Sequence, residues 1–337
     1  MDVSHHTYNE IQSQTEAWAQ AVERMRGIAL PQATSYQQVL FTGCGSTYYL
    51  SLAASALYQA LTGCSSRAVP AGELVLNPQT AFTDQKTLLV AVSRSGTTSE
   101  TLKAVENFKT QNRGEVVVIS NYEEALSQLT DLNIVIDKGQ EKSVAQTRAF
   151  ASMYVAAAVF CARMAGRKDL VETMDRLPEV GASVIRNYEA FAKEIGENLT
   201  FDRFYFLGSG IRYGLACEGN LKMKEMTLTH SEPFHFLEFR HGPMSMVNKT
   251  AVVVGLSSDS NWAYESKVLS EMKTLGGAVI SLGEKDADVN FESGIPESAR
   301  SVLYLPVMQL MAYYRSLAKG LNPDKPNHLT SVVQLEL

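Results

Sequence analysis

The sequence predicts an α/β protein made of two tandem copies of one unit, each a mostly parallel sheet flanked by helices in a three-layer αβα arrangement. Three observations carry this expectation. Short continuous apolar runs end in small residues: "VLFTGCGST" (39–47), "TLLVAVSRSGTTSE" (87–100), "EVVVIS" (115–120) and "NIVIDKG" (133–139). Such runs, with no polar alternation, read as strands buried on both faces. The stretches between them, about 15–25 residues long, carry helical periodicity, and alternating strand and helix implies parallel pairing through crossovers. The series then recurs in the same order as "RFYFLGSGIRYG" (203–214), "AVVVGLSSDSN" (251–261), "GAVISLG" (277–283) and "SVLYLP" (301–306). Gly43-Cys44-Gly45 returns as Gly208-Ser209-Gly210 and Ser93 as Ser257, a near-constant displacement of about 165 positions that marks an internal repeat.

Taken in order, residues 1–30 form an N-terminal helical segment whose helix covers roughly 8–25. Residues 31–170 form the first α/β domain. Its longest apolar run, 154–162, is closed by Arg163. That run is far short of the ~20 residues that span a bilayer, so it reads as a buried helix. Residues 171–198, including "VETMDRLPEVGASVIRNYEAFAKEI", are polar and helical and serve as a connector. Residues 199–337 form the second α/β domain.

Composition narrows the setting. A chain of 337 residues is too long for one ordinary core. Its net charge of −6 and the lack of any Lys/Arg block give no reason to expect nucleic acid. Cys44, Cys64, Cys161 and Cys217 show no disulfide or zinc spacing, so reduced thiols and a cytoplasmic setting are expected. The start "MDVSHHTYNEIQ" lacks the basic and apolar regions of a signal peptide, and no membrane association is expected.

Open parallel sheets bind ligands where loops and helix N-termini meet at the carboxyl ends of their strands. In the first unit those loops are "GCGSTYY", with Gly43 and Gly45 for close backbone approach and hydroxyls at Ser46 and Thr47, and "SRSGTTSET", with Ser93, Ser95, Thr97, Thr98 and Ser99 around one glycine. Hydroxyls, amides and a helix dipole suit a phosphate monoester, although Ser and Thr are also ordinary helix caps. The counterpart "LSSDSN" has no glycine and carries Asp259, which would repel phosphate, so only the first half is expected to hold it. A dinucleotide is disfavoured because Tyr48 stands where a third glycine is needed, and no Walker sequence is present. No cofactor is expected.

Helical spacing places Glu218, Lys222 and Glu225 on one face, with Lys224 pointing away. The bland reading is a surface helix with one Glu–Lys pair. The alternative takes in the tight turn His241-Gly242-Pro243 a few turns on: a carboxylate and an imidazole beside a sugar phosphate permit proton abstraction next to a carbonyl. His230, His235 and His241 have no familiar zinc spacing, and no metal is expected.

These motifs resemble the SIS (sugar isomerase) domain family, which includes the isomerase half of glucosamine-6-phosphate synthase and stand-alone phosphosugar isomerases, deaminases and deglycases. "GCGST" is similar to the family's G-C-G-T-S, "SRSGTTSET" to S-Q-S-G-E-T-x-x-T, and "EKSVAQTRAF" to G-V-A-S-T-K-A-F. "EGNLKMKE" and "RHGPMSM" resemble E-G-A-L-K-L-K-E and K-H-G-P-L-A-L. The resemblance implies tandem SIS domains and a homodimer. It places the substrate phosphate with Ser93, Ser95 and Thr98, aided by Ser46 and Thr47, with Arg94 in place of the family's Gln. Val144 and Ala145 match backbone lining the sugar site. Glu225 matches the base that moves a proton between C1 and C2, Lys222 a nearby proton carrier, and Glu218 a supporting acid. His241 matches the ring-opening histidine that reaches in from the neighbouring subunit.

Two departures bear on function. The synthase uses an N-terminal cysteine on a glutamine-hydrolysing domain, whereas this sequence begins Met1-Asp2, so glutamine-independent chemistry is expected. The synthase's imine-forming lysine is replaced by Thr330 in "NHLTSVV". The expected activity is that of a phosphosugar isomerase or deaminase acting on a phosphorylated amino or keto sugar. A fructosamine-6-phosphate deglycase is the alternative, and a non-catalytic sugar-phosphate sensor is the rival from another class.

Overall fold

A computed structural model describes residues 5–130 and 132–333. The outer ends of the first and last predicted segments, residues 1–4 and 334–337, lie outside the described residues. The first sheet contains β1 (Gln38–Gly43), β2 (Ser66–Pro70), β3 (Thr87–Ser93), β4 (Gly114–Ser120) and β5 (Leu132–Val135), all parallel, in the order β2-β1-β3-β4-β5. The second contains β6 (Arg203–Leu207), β7 (His230–Phe234), β8 (Ala251–Leu256), β9 (Ala278–Gly283) and β10 (Val289–Asn290), again all parallel, in the order β10-β9-β8-β6-β7. Read from the other edge this is the same topology, so the repeated sequence is a repeated fold. The central strands β1, β3 and β8 are buried along their whole length, which is why they read as unbroken apolar runs.

The predicted α/β class with two flanked parallel sheets is therefore what the chain adopts. One predicted strand is corrected. "SVLYLP" is not a strand: Ser301–Tyr304 is a 3₁₀ turn leading into the helix Leu305–Ala318. Pro306 sits in that helix's first turn, where a missing N–H costs nothing. A short buried apolar run cannot by itself distinguish strand from helix. The fifth strand of the second sheet is instead β10, only two residues long. Both sheets place proline only on an edge strand, Pro70 in β2 and Pro233 in β7, where no ladder donor is lost.

The chain forms two compact units whose segments interleave. One holds Ser13–Glu141, Gln146–Asp175 and the residues from Thr330; the other holds the segment up to Gln12, Lys142–Ala145 and Arg176–Leu329. In the first, one face of the sheet packs Leu40, Leu89, Ala91, Val116 and Val118 against Ala104, Val105 and Phe108 of the helix Ser99–Thr110. Phe108 is fully buried. Phe108→Ala is expected to cost about 3–5 kcal/mol of unfolding free energy in denaturant titration, and a loss below about 1 kcal/mol would contradict this packing. The apolar run at 154–162 lies in the helix Arg148–Met164, nearly all of whose residues are buried. A helix apolar on every side is one enclosed by its neighbours.

In the second unit Tyr205, Leu207 and Val253 pack with Phe236, Phe239, Leu269 and Met272. Its helix Leu177–Glu197 approaches the helix Leu305–Ala318 so closely that a Cβ on Gly196 would lie 2.5 Å from the Met311 carbonyl oxygen. No helix of the described residues is long and apolar enough to cross a membrane.

Candidate active site

In the first unit two loops leave the carboxyl ends of adjacent strands β1 and β3. Residues 43–47 make the sharper turn. Gly45 has φ +55°, and a Cβ on Gly43 would lie 2.5 Å from Thr47 Oγ1, so a side chain at either position is strained or blocked. Thr47 Oγ1 donates to the Cys44 carbonyl and accepts from the Cys44 N–H, both at 2.9 Å. That hydroxyl therefore secures the turn, while buried Ser46 opens the helix Ser46–Thr62.

Residues 93–98 form the second loop. Ser93 Oγ accepts from the Gly96 N–H at 3.1 Å, and Ser95 Oγ accepts from both the N–H and the hydroxyl of Thr97, at 3.2 and 3.1 Å. Gly96 supplies the positive φ of +68° that this turn needs. Thr98 occupies the N-cap of Ser99–Thr110 without making a side-chain capping bond.

Arg94 is buried. Its Nη2 donates to the Ser331 carbonyl at 2.7 Å, and its Nη1 lies 3.6 Å from Glu141 Oε2. Glu141, with a fully buried side chain, also accepts from the N–H and hydroxyl of Thr147 at 2.8 Å. The residue that replaces the family glutamine thus ties the chain around Thr330 to this loop. Thr330 itself is exposed, its hydroxyl donating to the Val332 carbonyl at 2.9 Å. Sequence reading missed Glu141, because the cation it meets, Arg94, lies far away along the chain.

The second unit holds the other predicted groups. Val144 and Ala145 belong to the short segment Lys142–Ala145. Glu10 Oε1 accepts from the Lys142 N–H at 2.6 Å and the Ser143 N–H at 3.3 Å, and the Ser143 hydroxyl donates to Glu10 Oε2. The Val144 N–H donates to the Asp324 carbonyl at 3.0 Å. The opening helix His6–Gly27 thereby supplies the carboxylate that fixes this segment, a role its sequence did not reveal.

After β6, a second glycine turn starts the helix Ile211–Thr227. Glu218, Lys222 and Glu225 share one face, as their spacing predicts, and Lys224 is exposed. The face is not a solvated one. The side chains of Lys222 and Glu218 are each 1% exposed, and Lys222 Nζ lies 3.1 Å from Glu218 Oε1. Lys222 Nζ also donates to Glu225 Oε1, whose side chain is 14% exposed. Burial by itself lowers the Lys222 pKa, but the two carboxylates outweigh it and hold the ammonium above the ordinary lysine range. The helix therefore carries a buried cation between two acids, of which Glu225 alone retains some access to solvent.

His241 sits in a turn, its N–H donating to the Glu238 carbonyl at 3.0 Å, and its side chain is exposed. No hydrogen bond within the chain joins it to Glu225 among the described residues. His230 opens β7 and is exposed, and His235 stacks on Tyr213 at 3.9 Å between ring centroids. The three histidines form no metal-binding cluster among the described residues. The four cysteines are free, and burial pushes the Cys217 thiol up to about 12.

Comparison with known proteins places these features. The SIS domain family model matches residues 34–163 and 201–312, which takes in both sheets. The glutamine–fructose-6-phosphate aminotransferase (isomerizing) of Sulfurisphaera tokodaii is 30% identical over 303 residues, covering 89% of this chain and 50% of that protein. The protein of the same name from Sulfolobus acidocaldarius is 31% identical over 312 residues, covering 91% and 52%. The chain spans about half the length of the curated relatives it matches. Among solved structures, glucosamine-6-phosphate deaminase from Thermotoga maritima has a TM-score of 0.86 at 26% identity, covering 98% of this chain and 100% of that one. Tagatose-6-phosphate ketose/aldose isomerase from Escherichia coli, at 22% identity and a TM-score of 0.82 over 97% of each chain, shares the fold. The family model thus matches twice, once over each parallel sheet, and the chain belongs to the SIS domain family.

Proposed function

We propose that the chain is a phosphosugar isomerase or deaminase that acts on a phosphorylated amino or keto sugar by moving a proton next to its carbonyl, independently of glutamine. The observation that carries this reading is the helix Ile211–Thr227, where Lys222 is buried between Glu218 and Glu225. A buried ion pair contributes little net stability over apolar packing, so its retention calls for another explanation, and acid/base chemistry supplies one. Glu225, the more accessible carboxylate, takes the proton from the carbon beside the carbonyl. Lys222, kept protonated by its neighbours, supplies a proton to the developing enediolate or enamine oxygen or nitrogen. Glu218 holds the ammonium.

Anchoring is assigned to Ser46, Ser93, Ser95 and Thr98, with Thr47 and Arg94 fixing the loops and Val144 and Ala145 lining the sugar. The proposal also includes a cytoplasmic homodimer in which the exposed His241 completes the neighbouring subunit's site and opens the sugar ring. The reaction is tested by incubating the protein with glucosamine 6-phosphate, galactosamine 6-phosphate, fructose 6-phosphate and fructosamine 6-phosphates while following ammonia, amine and ketose. Free amine from fructosamine phosphates alone would identify a deglycase, and binding without turnover would identify a sensor. Release of ammonia from added glutamine would overturn glutamine independence. Ser95→Ala is expected to weaken phosphosugar affinity by about tenfold, the loss of one charge-assisted hydrogen bond. Unchanged affinity by calorimetry would move the phosphate elsewhere.

A further inference from the structure

The second unit repeats the two loops of the first, and the repetition is geometric. β6 and β8 hold the sheet positions of β1 and β3. Gly210 has φ +58° and ψ −127°, against +55° and −123° at Gly45. The Arg212 N–H donates to the Ser209 carbonyl at 3.2 Å, as the Thr47 N–H does to the Cys44 carbonyl at 3.2 Å. Arg212 therefore occupies the place of Thr47, and residues 257–261 the place of the hydroxyl loop.

A carboxylate bridges these two loops. Arg212, 4% exposed, donates through Nη1 to Glu297 Oε1, and Glu297 Oε2 accepts from the Asp259 N–H at 3.2 Å. Glu265 Oε2 accepts from the Ser258 N–H at 2.6 Å and the Ser258 hydroxyl at 3.0 Å. Asp259, expected to repel phosphate, instead gives its carboxylate to Arg300. Two further donors are buried here without an acceptor among the described residues, Arg212 Nε and the hydroxyl of Ser257, which corresponds to Ser93. A buried guanidinium and a backbone N–H that meet on the Glu297 carboxylate, with spare buried donors on the same loops, are the elements of an oxyanion site.

We infer that these loops form a second anion cradle, suited to a phosphate group, whose ligand in this chain is its own Glu297 carboxylate. The Glu297 side chain is 22% exposed, so it fills the cradle from the solvent side. Self-occupancy accounts for one phosphate-binding loop pair per chain despite two copies of the fold. The inference uses the phosphate reading of the first cradle to choose the probe, and the test separates the two.

Inorganic phosphate binding is measured by calorimetry and by the phosphate-dependent rise in melting temperature for the full chain, for Glu297→Ala and for the near-isosteric Glu297→Gln. One site is expected in the parent and one additional site in Glu297→Ala. Adding Arg212→Ala should abolish the additional site, whereas adding Ser95→Ala should weaken only the original one. A parent with no site and a variant with one would overturn the first cradle and support the second. If neither Glu297 variant gains a site, or a phosphate-dependent thermal shift beyond the parent's, the self-occupied cradle is wrong.

Discussion

Glu225→Gln is expected to lower kcat on the chain's sugar phosphate by about 10²–10⁴-fold, the usual worth of a positioned general base. Glutamine keeps the length of the side chain and a comparable helix propensity, so the helix Ile211–Thr227 and its packing should survive. What is lost is the ability to accept a proton. Phosphosugar affinity, assigned to the hydroxyl loop of the other unit, should change little, so the defect falls on kcat rather than on binding. Pre-steady-state and equilibrium binding measurements on the same preparation make the distinction. A variant retaining more than about a tenth of parental kcat would remove Glu225 from the role of base.

Lys222→Ala is expected to be the most destabilising single change on this helix, by about 3–5 kcal/mol. Glu218 would be left as a buried carboxylate without its cation, 3.1 Å from where the ammonium had been. For a unit of this size the melting temperature should fall by on the order of 10 °C. Combining Lys222→Met with Glu218→Gln should recover much of the loss, because it removes the stranded charge and fills the volume. The direction with pH follows from the raised Lys222 pKa. The lysine's contribution is fully present below the unfolded-state lysine pKa and is lost as pH rises through the higher folded value, in strongly alkaline solution. Thermal scans across that range would detect it, and a Lys222→Ala protein as stable as the parent would show that the triad is not coupled to folding.

Much of the architecture was legible because it is written locally. Unbroken apolar runs mark doubly buried strands, and seven of the eight runs become parallel strands of the expected units. "SVLYLP" failed because its surroundings, not its composition, make it helical, and β10 escaped because two residues carry no period. The glycine turns were legible through Gly43 and Gly45, whose backbone tolerances are properties of the residue itself. Arg94 was visible as a departure from the family pattern, but its attachment to Glu141 and Ser331 was not, since the latter lies 237 positions away. The same holds for Glu10, whose bonds to Lys142–Ala145 span more than 130 positions.

The sequence by itself determined the repeated parallel-sheet fold, the loops at the strand ends and the common face of Glu218, Lys222 and Glu225. Each follows from period, turn chemistry or helical spacing, and none requires knowing what lies nearby. Only the tertiary structure decided that this charged face is dry, that Asp259 is neutralised by Arg300 from 41 positions away, and that Glu297 bridges the second pair of loops. The physical reason is common to all three. A side chain's charge is a property of the chain, but its solvation and its partner are set by whatever the fold packs against it.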